Sequence, residues 1–194
     1  MAIVFPHLIA CCVAIGLVFT NDIAMINQLL KGDSSVHHDD DQLSSLQKTV
    51  SIALIALWIT GIAIVSLDAS LKGWSYFLNP KLQAKVGIVV LLTINGLILH
   101  RTVLPTMKKL GSLLNLSFNQ RLLAIFSGVV SGVSWFYAAM LGIGRPLNWK
   151  YSVLEIVGAY PFLIAGGCGL MLILTAWSKS KYRYPTLRAD EIGN

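Results

Sequence analysis

The sequence predicts an all-α membrane protein, a bundle of five transmembrane helices with its N-terminus outside and its C-terminus inside. Of its 194 residues, 55% are hydrophobic and only 12% are charged, whereas about a quarter of a typical soluble domain is charged. The apolar residues lie in long runs, and a run of about 18 or more is typical of a membrane-spanning helix. No internal repeat and no second domain are visible, so we expect one integral membrane domain over residues 1–194.

The five predicted spans cover about residues 5–30, 50–68, 85–104, 122–143 and 153–177. The first is longer than the roughly 20 residues that a bilayer requires, so it tilts or projects from the membrane. Pro6 suits the first turn of its helix, where a missing N–H costs nothing. Pro161 is expected to kink the last span.

The predicted orientation rests on the distribution of lysine and arginine between the two sides. The side that holds the first loop, the third loop and the C-terminal tail carries most of these residues, and such an excess is typical of the cytoplasm. Its members are Lys31, Lys48, Arg101, Lys108, Lys109, Arg121, Lys179, Lys181, Arg183 and Arg188. Because topology accounts for the net charge of +6, we expect no nucleic-acid partner.

Four ionisable residues from four different spans fall near the outer edge of the membrane: His7, Asp68, Lys85 and Glu155. An ionisable group inside a span costs several kcal/mol unless it is paired or hydrated. We therefore expect Lys85 to pair with Asp68 or Glu155. Such pairs either fix the register of the helices or line a water-filled pocket for a ligand or a proton.

A second polar layer is predicted towards the inner edge, formed by Asn21, Asp22, His100 and Arg101. The same cost of burying a charge applies here. We expect Asp22 to pair with His100 or Arg101.

Small residues mark faces of spans 4 and 5 where helix backbones can approach closely. Gly128 and Gly132 form a GxxxG pattern, and residues 166–169 read Gly-Gly-Cys-Gly. These faces predict packing within the bundle, and they are also candidate docking faces for a second copy or another membrane protein. Because no GxSxG or SxxK pattern accompanies the serines of span 4, no catalytic serine is expected.

The spacing of the cysteines and histidines along the sequence argues against several kinds of metal site. The three cysteines form no CxxC or CxxCH pattern, which argues against a thiol oxidase and against covalently attached haem. His7 and His100 are the candidate ligands for haem or copper, but they are predicted at opposite edges of the bilayer and cannot share one iron. In the first loop, His37, His38 and the neighbouring aspartates form either a metal site or a solvated loop, with Asp39 and Gln42 as a capping box.

Residues 79–101, NPKLQAKVGIVVLLTINGLILHR, carry a resemblance to small bacterial inner-membrane proteins. The shared pattern is an Asn-Pro pair, a lysine that enters the span and a polar exit. The segment is distantly similar to the copper-resistance D and b561-like groups of multi-span, histidine-bearing proteins. The resemblance covers about a fifth of the chain and implies that Lys85 and His7 are the positions of interest. It does not extend to the paired histidines at matching depths that b561-like proteins use.

The function predicted from these observations is that of a multi-pass protein of the bacterial inner membrane that is not an enzyme. It handles a small solute or a proton at the outer residues His7, Asp68, Lys85 and Glu155. One alternative is a redox membrane protein that binds haem or copper through His7 or His100. A second alternative is a structural subunit of a membrane complex.

Overall fold

The computed structural model describes residues 3–31, 40–110, 113–144 and 149–191, and these residues form helices without any strand. The helices are α1 (Val4–Lys31), α2 (Asp40–Lys72), α3 (Pro80–Ile98), α4 (Leu104–Leu110), α5 (Phe118–Ile143), α6 (Val153–Val157) and α7 (Ala159–Glu191). Short 3₁₀ turns lie at Trp74–Leu78 and Leu113–Asn115, and a π-helical turn at Leu99–Val103 joins α3 to α4. The first-loop histidines and Asp39 lie outside the described residues, and so do the metal site and capping box predicted there.

Five helical stretches of the described chain are long and apolar enough to cross a membrane, as the sequence predicts. They are Val4–Lys31, Ser44–Lys72, Pro80–Leu110, Phe118–Ile143 and Val153–Lys181. Several run past the predicted ends because helical hydrogen bonds continue into polar sequence that leaves the bilayer. Five such helices fit a multi-pass membrane protein; which end faces the cytoplasm stays a prediction.

Helix α5 lies at the centre of the bundle and contacts α1, α3 and α7, whereas α2 packs mainly against α1. The outward face of α2 is a row of isoleucines, Ile52, Ile55, Ile59 and Ile62, each more than half exposed. A bilayer solvates such a face, and every backbone polar group of a helix is already bonded within it. The fold is therefore consistent with lipid as its solvent.

Close packing between α5 and α7 occurs where the small-residue pattern predicts it. An ideal Cβ on Gly167 would lie 2.7 Å from Cγ1 of Val129, so no larger residue fits there without movement. Gly166 and Gly169, on the same helix, meet nothing within 4 Å. The docking of a second copy or partner on these small-residue faces stays a prediction.

Proline residues explain the two interruptions of the long helices. Pro105 has no N–H to donate to the carbonyl of Arg101, and the π-helical turn Leu99–Val103 lies immediately before it. In the last span, Gly158 separates α6 from α7. Pro161 cannot donate to the carbonyl of Val157, so the predicted effect of Pro161 appears as this interruption.

Candidate functional site

The bundle has two polar ends. The start of α1, the end of α2 and the start of α3 form what we call the Lys85 end. The end of α1, the start of α2 and the π-helical turn form the basic end. The sequence places one predicted cluster at each.

At the Lys85 end, His7 of α1 is fixed by a hydroxyl group of α2. Its Nδ1 lies 2.7 Å from Oγ1 of Thr60, and that hydroxyl lies 2.6 Å from the carbonyl oxygen of Ala56. A threonine has one proton to donate. Because that proton goes to Ala56, the oxygen accepts the Nδ1–H of His7, which leaves Nε2 as the proton-accepting nitrogen of the neutral ring.

Lys85 of α3 is half-buried and reaches α5 at a glycine. Its Nζ lies 3.7 Å from the position that a Cβ on Gly142 would occupy. The amine is also close enough to interact electrostatically with His7 and with the thiol of Cys11. Two helices, α1 and α3, therefore bring together two bases and a thiol.

The two acids predicted to neutralise Lys85 have other partners, so the predicted ion pairs are not formed. Asp68 Oδ1 lies 3.1 Å from Nζ of Lys72, and its carboxylate also accepts a hydrogen bond from Tyr76. Glu155 is exposed and closes a capping box, with Oε2 at 2.7 Å from the backbone nitrogen of Ser152. Both acids lie near helix ends, where local groups satisfy them more readily than a distant lysine.

Tyr76 lies in the short turn between α2 and α3, outside the spans. Its partial burial and its hydrogen bond to Asp68 together raise the pKa of Tyr76 to about 12. The ammonium of Lys72 lies 4.8 Å from the centre of the same ring. Lys72, Asp68 and Tyr76 thus form a local cluster that leaves Lys85 out.

The second predicted cluster is also divided. Asp22 is half-buried, and its Oδ2 lies 3.2 Å from the Cβ position of Gly132 on α5. His100 and Arg101 are exposed, and His100 faces α2 across a groove. The expected pairing of Asp22 with either base is therefore wrong. Asn21 is half-buried beside it.

Asp22 and Lys85 do not pair with each other either. Gly132 and Gly142, which they contact, are ten positions apart on α5, and this corresponds to about 15 Å along the helix axis. In the described part of the chain Asp22 has no hydrogen bond or ion pair. Asp22 and Lys85 are therefore two separate ionisable groups, each without a countercharge among the described side chains.

Polar residues near the middle of the bundle are bonded to one another. Trp58 Nε1 donates to Oγ1 of Thr93 at 3.0 Å. Asn95 and Ser127 exchange two hydrogen bonds, both of 2.8 Å, between α3 and α5. Reciprocal bonds of this kind fix the register of neighbouring helices in a membrane.

No group of three or more metal-binding side chains occurs among the described residues. His100 follows Lys85, the neighbour of His7, by fifteen positions, or about 22 Å of helix. One iron cannot take both histidines. Binding of haem or copper through a single histidine stays a prediction.

Two contacts at the Lys85 end, that of His7 with Thr60 and that of Glu155 with Ser152, were not predicted from the sequence. Thr60 and Gly61 are adjacent in an otherwise apolar span, which is a readable signal for a polar contact on that face. The Ser-x-x-Glu pattern of Ser152 and Glu155 is a capping box that could have removed Glu155 from the list. The contact of Lys85 with Gly142 follows only from the three-dimensional packing.

Comparisons with protein-family models, with curated proteins and with solved structures found no match for this chain. The resemblance of residues 79–101 to the copper-resistance D and b561-like groups therefore stays a prediction.

Proposed function

We propose that this chain is a non-enzymatic, multi-pass protein of the bacterial inner membrane that takes up and releases a proton at His7 and Lys85. The observation that carries the proposal is the half-buried Lys85 amine, which lies near a second base and has no carboxylate partner among the residues that the structure describes. A proton needs no preformed cavity, so this function suits a closely packed site better than a bulky solute does.

The energetics of the two bases favour exchange of a proton over permanent charge. A charge inside a bundle costs several kcal/mol when nothing neutralises it. When His7 and Lys85 are both protonated, they also repel each other, so the pair holds one proton more easily than two. The pair therefore binds its first proton more tightly than its second.

Asp22 is the next group with exchangeable protons towards the basic end. It lies about 15 Å from Lys85 along α5, and its carboxyl also has no described partner. A proton that moves between the two requires water in that interval, because the hydrogen-bonded pairs there, Trp58 with Thr93 and Ser134 with Tyr160, do not connect Lys85 to Asp22. In this proposal Lys85 and Asp22 each bind the proton in turn. Water between the two side chains controls the transfer of the proton from one to the other.

The orientation is part of the proposal and is supported by the unequal numbers of basic residues on the two sides. With the N-terminus outside, the Lys85 end faces the periplasm and the basic end faces the cytoplasm. Asp68 and Glu155 are left out of the proton site because each already has local partners.

The test is proton flux into proteoliposomes that contain a trapped pH-sensitive dye, under an imposed pH gradient with valinomycin and potassium present. The wild-type protein should dissipate the gradient faster than empty liposomes, and Lys85→Met should return the rate to that of empty liposomes. Lys72→Met is the matched control, since Lys72 lies at the same end but is exposed and paired. A wild type without flux, or equal flux in Lys85→Met, rules the proposal out.

A further inference from the structure

A groove of about 310 Å³ lies at the basic end, far from the proposed proton site, between the first turns of α2 and the π-helical turn. Its lining combines hydroxyl, amide and cationic groups with two isoleucines: Ser44, Gln47, Lys48, Ser51, Ile52, Ile55 and His100. Every one of these residues except Gln47 is exposed. The groove therefore opens to whatever surrounds the bundle.

The polar and apolar parts of the groove follow each other along α2. The polar part begins at Ser44, near the start of the helix, and the apolar part ends at Ile55, about 16 Å further along the axis. In a membrane this direction leads from the headgroup layer into the hydrocarbon. A ligand that fits both parts is polar at one end and apolar at the other.

The charge at the polar part is positive. Lys48 lines the groove, and Nζ of Lys108 on α4 donates to Oγ of Ser44 at 2.6 Å, which places a second ammonium at the mouth. His100 lines the same groove from the π-helical turn. Lys48 lies one turn further into the groove than Ser44, so an anion is expected at the level of Lys48.

We propose that this groove binds one anionic phospholipid. Its phosphodiester lies between Lys48 and Lys108, and one acyl chain runs along Ile52 and Ile55. Basic pockets beside membrane helices on the cytoplasmic side recognise anionic headgroups, and each lysine near the surface contributes about 1 kcal/mol. The proposal is independent of the proton site, because none of these residues contacts His7 or Lys85.

The test is native mass spectrometry of the protein from a mild non-ionic detergent with equal amounts of phosphatidylglycerol and phosphatidylcholine. The wild type should retain one phosphatidylglycerol with a preference of about thirtyfold over phosphatidylcholine, which corresponds to about 1 kcal/mol from each of the two lysines. The double variant Lys48→Glu/Lys108→Glu should lose this preference. Lys109→Glu is the matched control, since it changes the neighbouring charge outside the groove lining and should keep the preference.

A second variant tests the acyl-chain part. Ile55→Trp fills the apolar part without altering charge and should lower retention of phosphatidylglycerol. Equal retention of both lipids by the wild type overturns the proposal, and so does an equal loss in Lys109→Glu, which indicates surface charge alone. Unchanged retention in Ile55→Trp, or displacement of the lipid by excess inorganic phosphate, likewise contradicts it, because either result assigns the site to the phosphate group only.

Discussion

Lys72 and Lys85 lie at the same end of the bundle, yet Lys72 has an acidic partner and Lys85 has none among the described residues. Lys72 is exposed, bonds to Asp68 one turn earlier and lies against the ring of Tyr76 one turn later. Lys85 is half-buried, and its neighbours His7, Cys11 and Gly142 come from α1 and α5 and offer no countercharge.

The difference shows where in this fold a charged side chain finds an oppositely charged partner. Near helix ends, residues four positions apart find each other without any tertiary structure. Inside the bundle, the neighbours of a lysine depend on how distant helices pack. A charge left without a countercharge there is costly, and such cost is commonly associated with function in membranes.

The largest expected effect is on stability. Lys85→Met removes a half-buried amine without a partner and should raise the free energy of unfolding by about 1–2 kcal/mol. Lys72→Met removes an exposed pair and should change it by no more than about 0.5 kcal/mol. Equilibrium unfolding in mixed detergent and dodecyl sulfate, followed by tryptophan fluorescence, measures both. A loss of stability in Lys85→Met would mean that the amine has a stabilising partner, and the comparison would fail.

A smaller effect is expected when Lys85 is given the countercharge that it lacks. In Gly142→Asp the new carboxylate starts from a Cβ position 3.7 Å from Nζ of Lys85. The resulting ion pair should hold the amine protonated and slow proton flux in liposomes. Gly142→Asn has the same size without the charge and should retain more flux. Equal rates for the Asp and Asn variants would show that size alone matters.

The smallest effect is expected in the cluster of Lys72, Asp68 and Tyr76. Tyr76 has a pKa raised to about 12, so the stability that its neutral form contributes is complete below pH of about 10 and is lost as the pH rises through its folded pKa. Asp68→Asn should lower this pKa towards the ordinary value. Phenolate absorbance during an alkaline titration, with Tyr76→Phe subtracted, measures it. Glu155→Gln is the control and should leave the pKa of Tyr76 unchanged. A shifted pKa in Glu155→Gln, or an unchanged pKa in Asp68→Asn, would contradict the hydrogen bond between Asp68 and Tyr76.

The number and approximate positions of the spans could be predicted because bilayer thickness imposes a length on each apolar run. The ends of α2 and α7 could not, since helical bonding continues into polar residues for reasons unrelated to hydropathy. The small residues of α5 and α7 predicted close packing, and Gly167 against Val129 agrees with this. Which glycine meets which neighbour depends on helix rotation, which one sequence does not specify.

The candidate site was predicted in part. His7 and Lys85 were identified because ionisable groups inside spans are few, and the structure brings them near each other. The acids expected to pair with Lys85 were wrong, because the prediction did not consider that each acid has a partner closer to it in the sequence. Glu155 caps its own helix through Ser152, and Asp68 reaches Lys72. Asp22 was expected to meet His100, but the two side chains face different helices, α5 and α2.

The π-helical turn at Leu99–Val103 also changes which face of the helix each later residue of its span occupies. Such a turn contains one residue more than the α-helical turn it replaces, so every later side chain is rotated by about 100° relative to an uninterrupted helix. That rotation accompanies the approach of Lys108 to Ser44. A helical wheel drawn through Pro105 without a break would therefore place Lys108 on another face. Deleting one residue from the turn would remove the extra residue and the π-helical turn together, and Lys108 would still face α2.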